Sequence, residues 1–223
     1  MKEGDNMAGI DWSFIWEGFL QTMEMVVIST VFAYIVGLPL GVILSVSKKD
    51  GLSPNKVVYN ILAFIVNVSR SIPFLIFLVV LIPLTRLIVG TSIGTEATIV
   101  PLTFGAIPIV ARMVEASLEE VGSGIVEAAL ALGAKKREVV VNFILPEAFP
   151  SLLQGAAINF VTILGYSAMA GFIGGGGLGA IAYQHGFIRY KTDILMVTVI
   201  ILVVIVWAGQ ELGLKLASRA RHS

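Results

Sequence analysis

Apolar residues run in long blocks along this chain, and the charged residues gather in short clusters between them. Five blocks stand out: about Phe19 to Val46, Val57 to Leu84, Thr98 to Leu118, Ser151 to Ile173 and Asp193 to Gly213. Each reaches the roughly 20 residues that a helix needs to cross the hydrocarbon core of a bilayer. The pattern predicts an all-α integral membrane protein of about five transmembrane helices, with residues 1–223 forming a single membrane domain. The second block is unusually long and is interrupted at Arg70-Ser71-Ile72-Pro73, and apolar character persists beyond it through Leu87-Ile88-Val89.

Composition strengthens this picture. Hydrophobic residues make up 57% of the chain and charged residues 13%, about half the charge of an ordinary soluble domain. A chain of 223 residues could not hide that apolar surplus in one water-soluble core. The formal net charge is zero, so no broad basic surface marks a nucleic-acid partner. With no cysteine, disulfides and thiolate metal sites are excluded, and the two histidines, His185 and His222, are too far apart in sequence to read as a ligand pair. Glu3, Asp5, Asp11 and Glu17 stand where a cleaved leader would be basic, so the first apolar block is expected to stay in the membrane.

Lysine and arginine set the orientation, because cytoplasmic loops retain them. With the N-terminus outside, the inner segments hold Lys48, Lys49, Lys56, Lys135, Lys136, Arg137, Lys215, Arg219 and Arg221, and the outer ones hold Lys2, Arg86, Arg189 and Lys191. An odd number of spans then places the basic C-terminus in the cytoplasm. Arg70 and Arg112 fall within or beside apolar blocks, where an arginine faces protein or water or snorkels to the surface. Arg112 stands three residues before Glu115, near enough on a helix to pair with it. Glu24 reads as an interfacial residue at a helix end, with a pathway acid as the alternative, and Gly37-Leu38-Pro39-Leu40-Gly41 as a packing face with GxxxG spacing or, alternatively, a kink coupled to a partner subunit.

The longest polar stretch, Glu119 to Pro150, lies in the cytoplasm on this topology. Gly122-Ser123-Gly124 breaks the preceding helix, Ile125–Leu132 forms a short helix, Gly133 permits a turn and Lys135–Leu145 forms a second short helix. Pro146 and Pro150 are expected to end this excursion and open the next span. A helix–turn–helix of that size has no core of its own, so it must dock against something. Within it, Glu127-Ala128-Ala129 is followed after three residues by Gly133, and after nine more by Phe143-Ile144-Leu145-Pro146.

That spacing resembles the cytoplasmic EAA signature of ABC-importer permeases, with Phe143 where isoleucine is usual. Arg70-Ser71-Ile72-Pro73-Phe74, Val89-Gly90-Thr91-Ser92-Ile93-Gly94, Ala111-Arg112-Met113-Val114-Glu115, Gly165-Tyr166-Ser167-Ala168-Met169-Ala170-Gly171 and the run Gly174–Gly177 with Leu178-Gly179 are similar to the methionine-uptake branch of that family. The resemblance covers the chain from about residue 37 onward. It implies a type I importer permease of the bacterial inner membrane, acting as a homodimer with two copies of an ATPase subunit and a substrate-binding lipoprotein, and carrying methionine, in both enantiomers, into the cell. It also implies that Glu127, Ala128, Ala129, Gly133, Leu145 and Pro146 form the ATPase-coupling element. Small Ala128 and Ala129 suit a close approach, Gly133 a reversal, and Glu127 a position near a helix start, where the dipole favours a negative charge.

No G-x-x-x-x-G-K-[ST] cradle for phosphates occurs in the chain, so it is not expected to be an enzyme or to hold a cofactor; ATP and magnesium would belong to the partner subunit. The fourth block is the candidate pathway lining. Its small residues Gly155, Ala156, Ala157, Gly165, Ser167, Ala168, Ala170 and Gly171 permit close helix approach, and Tyr166 and Met169 are the bulky exceptions. Tyr166, Ser167 and Met169 are candidate pathway or gate residues, Met169 because a flexible thioether chain can plug a narrow passage. Gly174–Gly177 is expected to end this helix in an outer re-entrant turn. Gly175, Gly176, Tyr183 and His185, with Phe187, Arg189 and Tyr190, are candidates for an outer docking surface. An ABC permease for another amino acid or small organic cargo is the alternative. A channel or secondary transporter is a more distant one, since neither internal repeats nor several mid-membrane charges are present.

Overall fold

The computed structural model describes residues 11–221; Lys2, Glu3, Asp5 and His222, which enter the sequence reading, lie outside them. The described residues are almost entirely helical. In chain order they form α1 (Trp12–Ser47), α2 (Lys56–Ser71), α3 (Phe74–Val80), α4 (Ile82–Val89), α5 (Thr95–Glu119), α6 (Ser123–Ala131), α7 (Lys136–Val139), α8 (Leu145–Ala170), α9 (Gly177–Ile181) and α10 (Thr192–Arg221). Four continuous helical stretches are long and apolar enough to cross a membrane, at Trp12–Ser47, Thr95–Glu119, Lys136–Ile173 and Thr192–Ala220, and the broken pair α2 and α3 supplies a fifth candidate.

The second apolar block is therefore helical in three pieces rather than one. Asn55 caps α2 by accepting the Val57 and Val58 N–H groups at 3.2 and 3.1 Å. The helix stops where Ile72 turns extended, at φ −82° and ψ 125°. That is the conformation a residue before proline is pushed into, and here it precedes Pro73. Arg70, exposed, sits in the last turn of α2, where the helix dipole favours a cation.

The fourth span corrects the expectation about prolines. The helix that carries it begins at Lys136, ahead of the expected start at Ser151, and runs on through Pro146 and Pro150. Val140–Ile144 forms a single π-turn, in which the Leu145 N–H reaches back to the Val140 carbonyl. This wider turn lies where the Pro146 ring would otherwise clash with the carbonyl four residues earlier, so the helix widens instead of ending.

The chain divides into two compact units. Among the described residues, one comprises 11–29, Phe74–Leu102 and Val161–Ala208; the other comprises Thr30–Pro73, Thr103–Phe160 and 209–221. In the first unit, Ile15, Leu178, Ile181 and Ile194 form the buried centre, and Phe14, Phe19 and Val197 pack on it. In the second, Leu44, Ala63, Val66 and Ala111 are buried together, with Leu40, Tyr59 and Leu62 around them.

Close backbone approach holds the second unit. A Cβ added at Gly37 would lie 2.7 Å from Val110 Cβ, and one at Gly41 would lie 2.6 Å from the Ala111 carbonyl oxygen. The Gly37–Gly41 spacing is thus a packing face against α5, with Pro39 left exposed between the two glycines. Gly41→Ala is expected to destabilise the purified protein by roughly 1–3 kcal/mol through overpacking. Gly165→Ala, where an added Cβ meets nothing within 4 Å, is expected to cost nothing. Thermal denaturation in detergent compares the two, and equal midpoints would mean that the α1–α5 contact is not tight.

Candidate functional site

In the second unit, residues 123–144 build an exposed hairpin. Gly122 stands before α6, whose Ala129 is the one buried residue. At the other end, Leu132, Gly133 and Ala134 close the helix. The Gly133 N–H donates to the Leu130 carbonyl at 2.9 Å and the Ala134 N–H to the Ala129 carbonyl at 3.1 Å. Gly133 has φ +83°, so this is a Schellman cap that needs a left-handed residue just past the helix. Lys135 restarts the chain, its N–H donating to Glu138 Oε2 at 2.8 Å.

The structure places the expected coupling residues unequally. Glu127, Ala128, Gly133 and Pro146 are exposed, Leu145 is half-buried and Ala129 is buried. The reversal also leaves apolar side chains facing outward: Leu130 is 43% exposed, Leu132 84% and Val141 50%. A leucine that open at the tip of a short hairpin cannot be serving this chain's own core. Alongside the hairpin lies a cleft of about 630 Å³, with Lys48, Glu119, Val126, Glu127 and Leu130 among its lining.

Beneath the hairpin, a polar network ties α5 to its neighbours. Arg112 Nη1 donates to Glu115 Oε2 at 2.6 Å, and Nη2 donates to Asn67 Oδ1 on α2 at 2.9 Å. The Arg112–Glu115 pair expected from spacing is thus present, with Glu115 almost fully buried. Lys48, just past α1, donates to Glu119 at the end of α5 at 2.6 Å. That carboxylate's hydrogen bond, more than its charge alone, raises the Lys48 ammonium above its ordinary pKa. Both partners are about two-fifths exposed, so this bridge is worth ~0.2–1 kcal/mol. Ser151 Oγ on α8 donates to Ser117 Oγ on α5 at 3.0 Å.

In the first unit, the expected pathway residues occupy different environments. Met169 is 41% exposed on α8, on the same face as exposed Gly165 and Phe172. Tyr166 stacks flat on Phe74, with ring centroids 4.0 Å apart. Ser167 is buried and donates to the Leu164 carbonyl at 2.8 Å.

The glycine run that follows is a structural turn with little surface of its own. Gly174, Gly176 and Gly177 have φ of +93°, +79° and +74°, conformations that only glycine takes readily. Gly177 N–H donates to Gln21 Oε1 at 2.8 Å and Leu178 N–H to Thr22 Oγ1 at 2.9 Å, both on α1. Thr98 Oγ1 donates to the Gly94 and Gly175 carbonyls at 2.9 and 3.4 Å. The turn folds α9, buried throughout, back onto α8. A Cβ at Gly171 would lie 2.9 Å from the Ala180 Cα, and one at Gly179 would lie 2.5 Å from the Ala168 Cα. Of the residues expected to face a docking partner, Gly175 is buried, Gly176, Tyr183 and His185 are half-buried, and Phe187, Arg189 and Tyr190 are exposed. Tyr183 meets Phe172 edge-on at 4.5 Å, and His185 packs on Phe14 at 4.8 Å. Burial, reinforced by the charges of Arg189 and Lys191, lowers the His185 pKa.

One residue escaped the sequence reading. Asn159, in the middle of α8, has no exposed surface, yet neither its Nδ2 nor its Oδ1 has a hydrogen-bond partner. Its signal in the sequence is that of an isolated amide in an apolar run, set among small residues that pack closely.

Among the described residues, no group of three or more His, Asp or Glu side chains is arranged to hold a metal ion. The helix count, the broken second span and the exposed hairpin define a multi-span membrane protein with a surface built to dock on another subunit. The sequence profile described as the binding-protein-dependent transport system inner membrane component matches residues 37–209, and the chain belongs to that family. It is similar to a probable D-methionine transport system permease protein MetI of Vibrio cholerae serotype O1, 49% identical over 202 residues that cover 91% of this chain and 90% of that one. A protein of the same description from Pasteurella multocida is 42% identical over 211 residues, 95% of this chain and 97% of that one. Among solved structures, a chain of the MetNI methionine ABC transporter in inward facing conformations superimposes with a TM-score of 0.92 at 42% identity, covering 95% of this chain and 99% of that one. A chain of an amino acid ABC transporter, at 20% identity and a TM-score of 0.79, shares the fold. The protein is an inner-membrane subunit of an ABC transporter.

The orphaned amide gives a direct test. A buried, unpaired polar group costs about 1–3 kcal/mol, so Asn159→Leu, close in volume, is expected to raise the thermal midpoint of the purified protein. An unchanged or lowered midpoint would mean that the amide has a partner, such as a bound water.

Proposed function

We propose that this protein is the translocation-pathway subunit of an ATP-driven methionine importer, taking up D- and L-methionine. It works as a homodimer with two ATPase subunits and receives its cargo from a substrate-binding lipoprotein. The observation that carries this reading is the near full-length similarity, in sequence and in backbone, to methionine permeases. Residues 1–223 act as one membrane domain in this scheme, with the N-terminus outside and the C-terminus in the cytoplasm.

The hairpin at residues 123–144 is the coupling element. Glu127, Ala128, Ala129, Gly133, Leu145 and Pro146 shape it, and exposed Leu130, Leu132 and Val141 provide the apolar surface that an ATPase groove would cover. Burial of such side chains is worth about 1.5–3 kcal/mol each, enough to transmit a push from one subunit to another. When the ATPase dimer closes, the two hairpins move together and the spans exchange inward-facing and outward-facing packings. Met169 is the gate, its neighbours Tyr166 and Ser167 being fixed by the Phe74 stack and by the Leu164 carbonyl. The surface that carries Gly175, Gly176, Tyr183, His185 and Phe187 receives the lipoprotein.

Uptake of radiolabelled methionine into vesicles holding the permease, its ATPase and its lipoprotein tests this reading. ATP-dependent uptake is expected, and Gly133→Asp, which places a Cβ at φ +83°, is expected to abolish it. Stimulation of ATPase activity by the lipoprotein without methionine uptake would keep the importer and discard the cargo.

Met169→Ala is expected to raise ATP hydrolysis in the absence of lipoprotein, or to let methionine leak without ATP. Wild-type behaviour in both assays would remove Met169 from the gate.

A further inference from the structure

A cleft of about 320 Å³ opens in the first unit between the start of α1 and the glycine turn, with Phe14, Glu17, Gln21, Ile93, Ile181 and His185 in its lining. Its floor is preorganised. Gln21 accepts the Gly177 N–H at 2.8 Å through Oε1 and, through Nε2, donates to Glu17 Oε1 at 3.3 Å. The glutamine amide is thus held from both sides, and it in turn orients the Glu17 carboxylate. A Cβ on Gly176 would crowd the same amide oxygen at 3.0 Å, so the glycine turn lies close against α1 here.

Glu17 is exposed and has no salt-bridge partner among the described residues. The chemistry of the walls is one-sided. They carry no lysine or arginine, and His185 is held toward its neutral form by burial and by the nearby charges of Arg189 and Lys191. Three backbone donors of the turn are engaged: Gly175 N–H on the Ala170 carbonyl at 3.0 Å, Gly177 N–H on Gln21 and Leu178 N–H on Thr22. A free amino acid would bring a carboxylate that meets Glu17 and no lysine or arginine in the walls. A cation on an aliphatic stem suits the cleft, with apolar walls for the methylenes and one oriented carboxylate for the charge.

We propose that this cleft receives a basic side chain, lysine or arginine, from the substrate-delivering binding protein, its stem against Phe14, Ile93 and Ile181 and its charge on Glu17. The proposal rests on the reading of this face as the outer docking surface and adds the recognition chemistry. Binding energy is small for such a pair, but an oriented charge in a cleft fixes register and steers encounter.

The test titrates binding protein onto the reconstituted permease–ATPase complex and reads the concentration that half-saturates ATPase stimulation, at low and high salt. Glu17→Gln is expected to raise that concentration about two- to fivefold, the range for a partly exposed ion pair, and to flatten its salt dependence, while Glu17→Asp restores both in part. Phe187→Ala, exposed on the same face, probes the docking surface without touching the carboxylate. A shift with Phe187→Ala but none with Glu17→Gln overturns the cleft proposal and leaves the docking face standing. No shift with either variant overturns both. Binding of radiolabelled methionine to the complex without binding protein, lost in Glu17→Gln, would make the occupant a free amino acid and overturn the proposal as well.

Discussion

In a bilayer, apolar side chains gain nothing by leaving lipid for one another, so helices must associate through close van der Waals contact and through hydrogen bonds that lipid cannot replace. The rest of this molecule depends on that constraint. In one unit α1 reaches α5 by removing side chains altogether at Gly37 and Gly41. In the other, α8 and α9 cross at Gly171 and Gly179 with their backbones nearly touching. Larger residues at any of these positions would hold the helices apart by more than the side chains around them could fill.

Hydrogen bonds do the remaining work, and they are placed where backbone geometry is least regular. The glycine turn is anchored to α1 by Gln21 and Thr22 and to α5 by Thr98, which supply partners for backbone groups that no regular helix pairs. Arg112 spreads its donors over Glu115 and Asn67, so that a charge costly to bury is neutralised and shared between two helices. Asn159 breaks this pattern: it has the burial of a core residue and the chemistry of a surface one.

Much of this was legible from the residues. Four of the five apolar blocks lie within continuous helices, though the first begins earlier, at Trp12, the fourth earlier, at Lys136, and the last runs on to Ala220, and Gly133 lies at the reversal that its spacing implied. The break at Ile72-Pro73 was visible because proline restricts its predecessor. What could not be read was the fate of Pro146 and Pro150. Proline propensity argues for a helix end, yet the π-turn at Val140–Ile144 carries the helix past Pro146, and Pro150 is accommodated inside α8. The docking candidates show a similar limit. Glycines in a run suggested an exposed loop, yet Gly175 is buried, because positive φ and close approach call for glycine just as solvent exposure does.

The crossing of Gly171 and Gly179 has a genetic consequence. Every missense change at a glycine codon adds at least a Cβ, and at these two positions that atom meets backbone, which cannot rotate aside as a side chain can. Neutral drift therefore has no small first step there, and a compensating change elsewhere would have to move a whole helix. Gly171 and Gly179 are therefore fixed as a pair, while exposed neighbours such as Phe172 and Ile173 carry no such constraint.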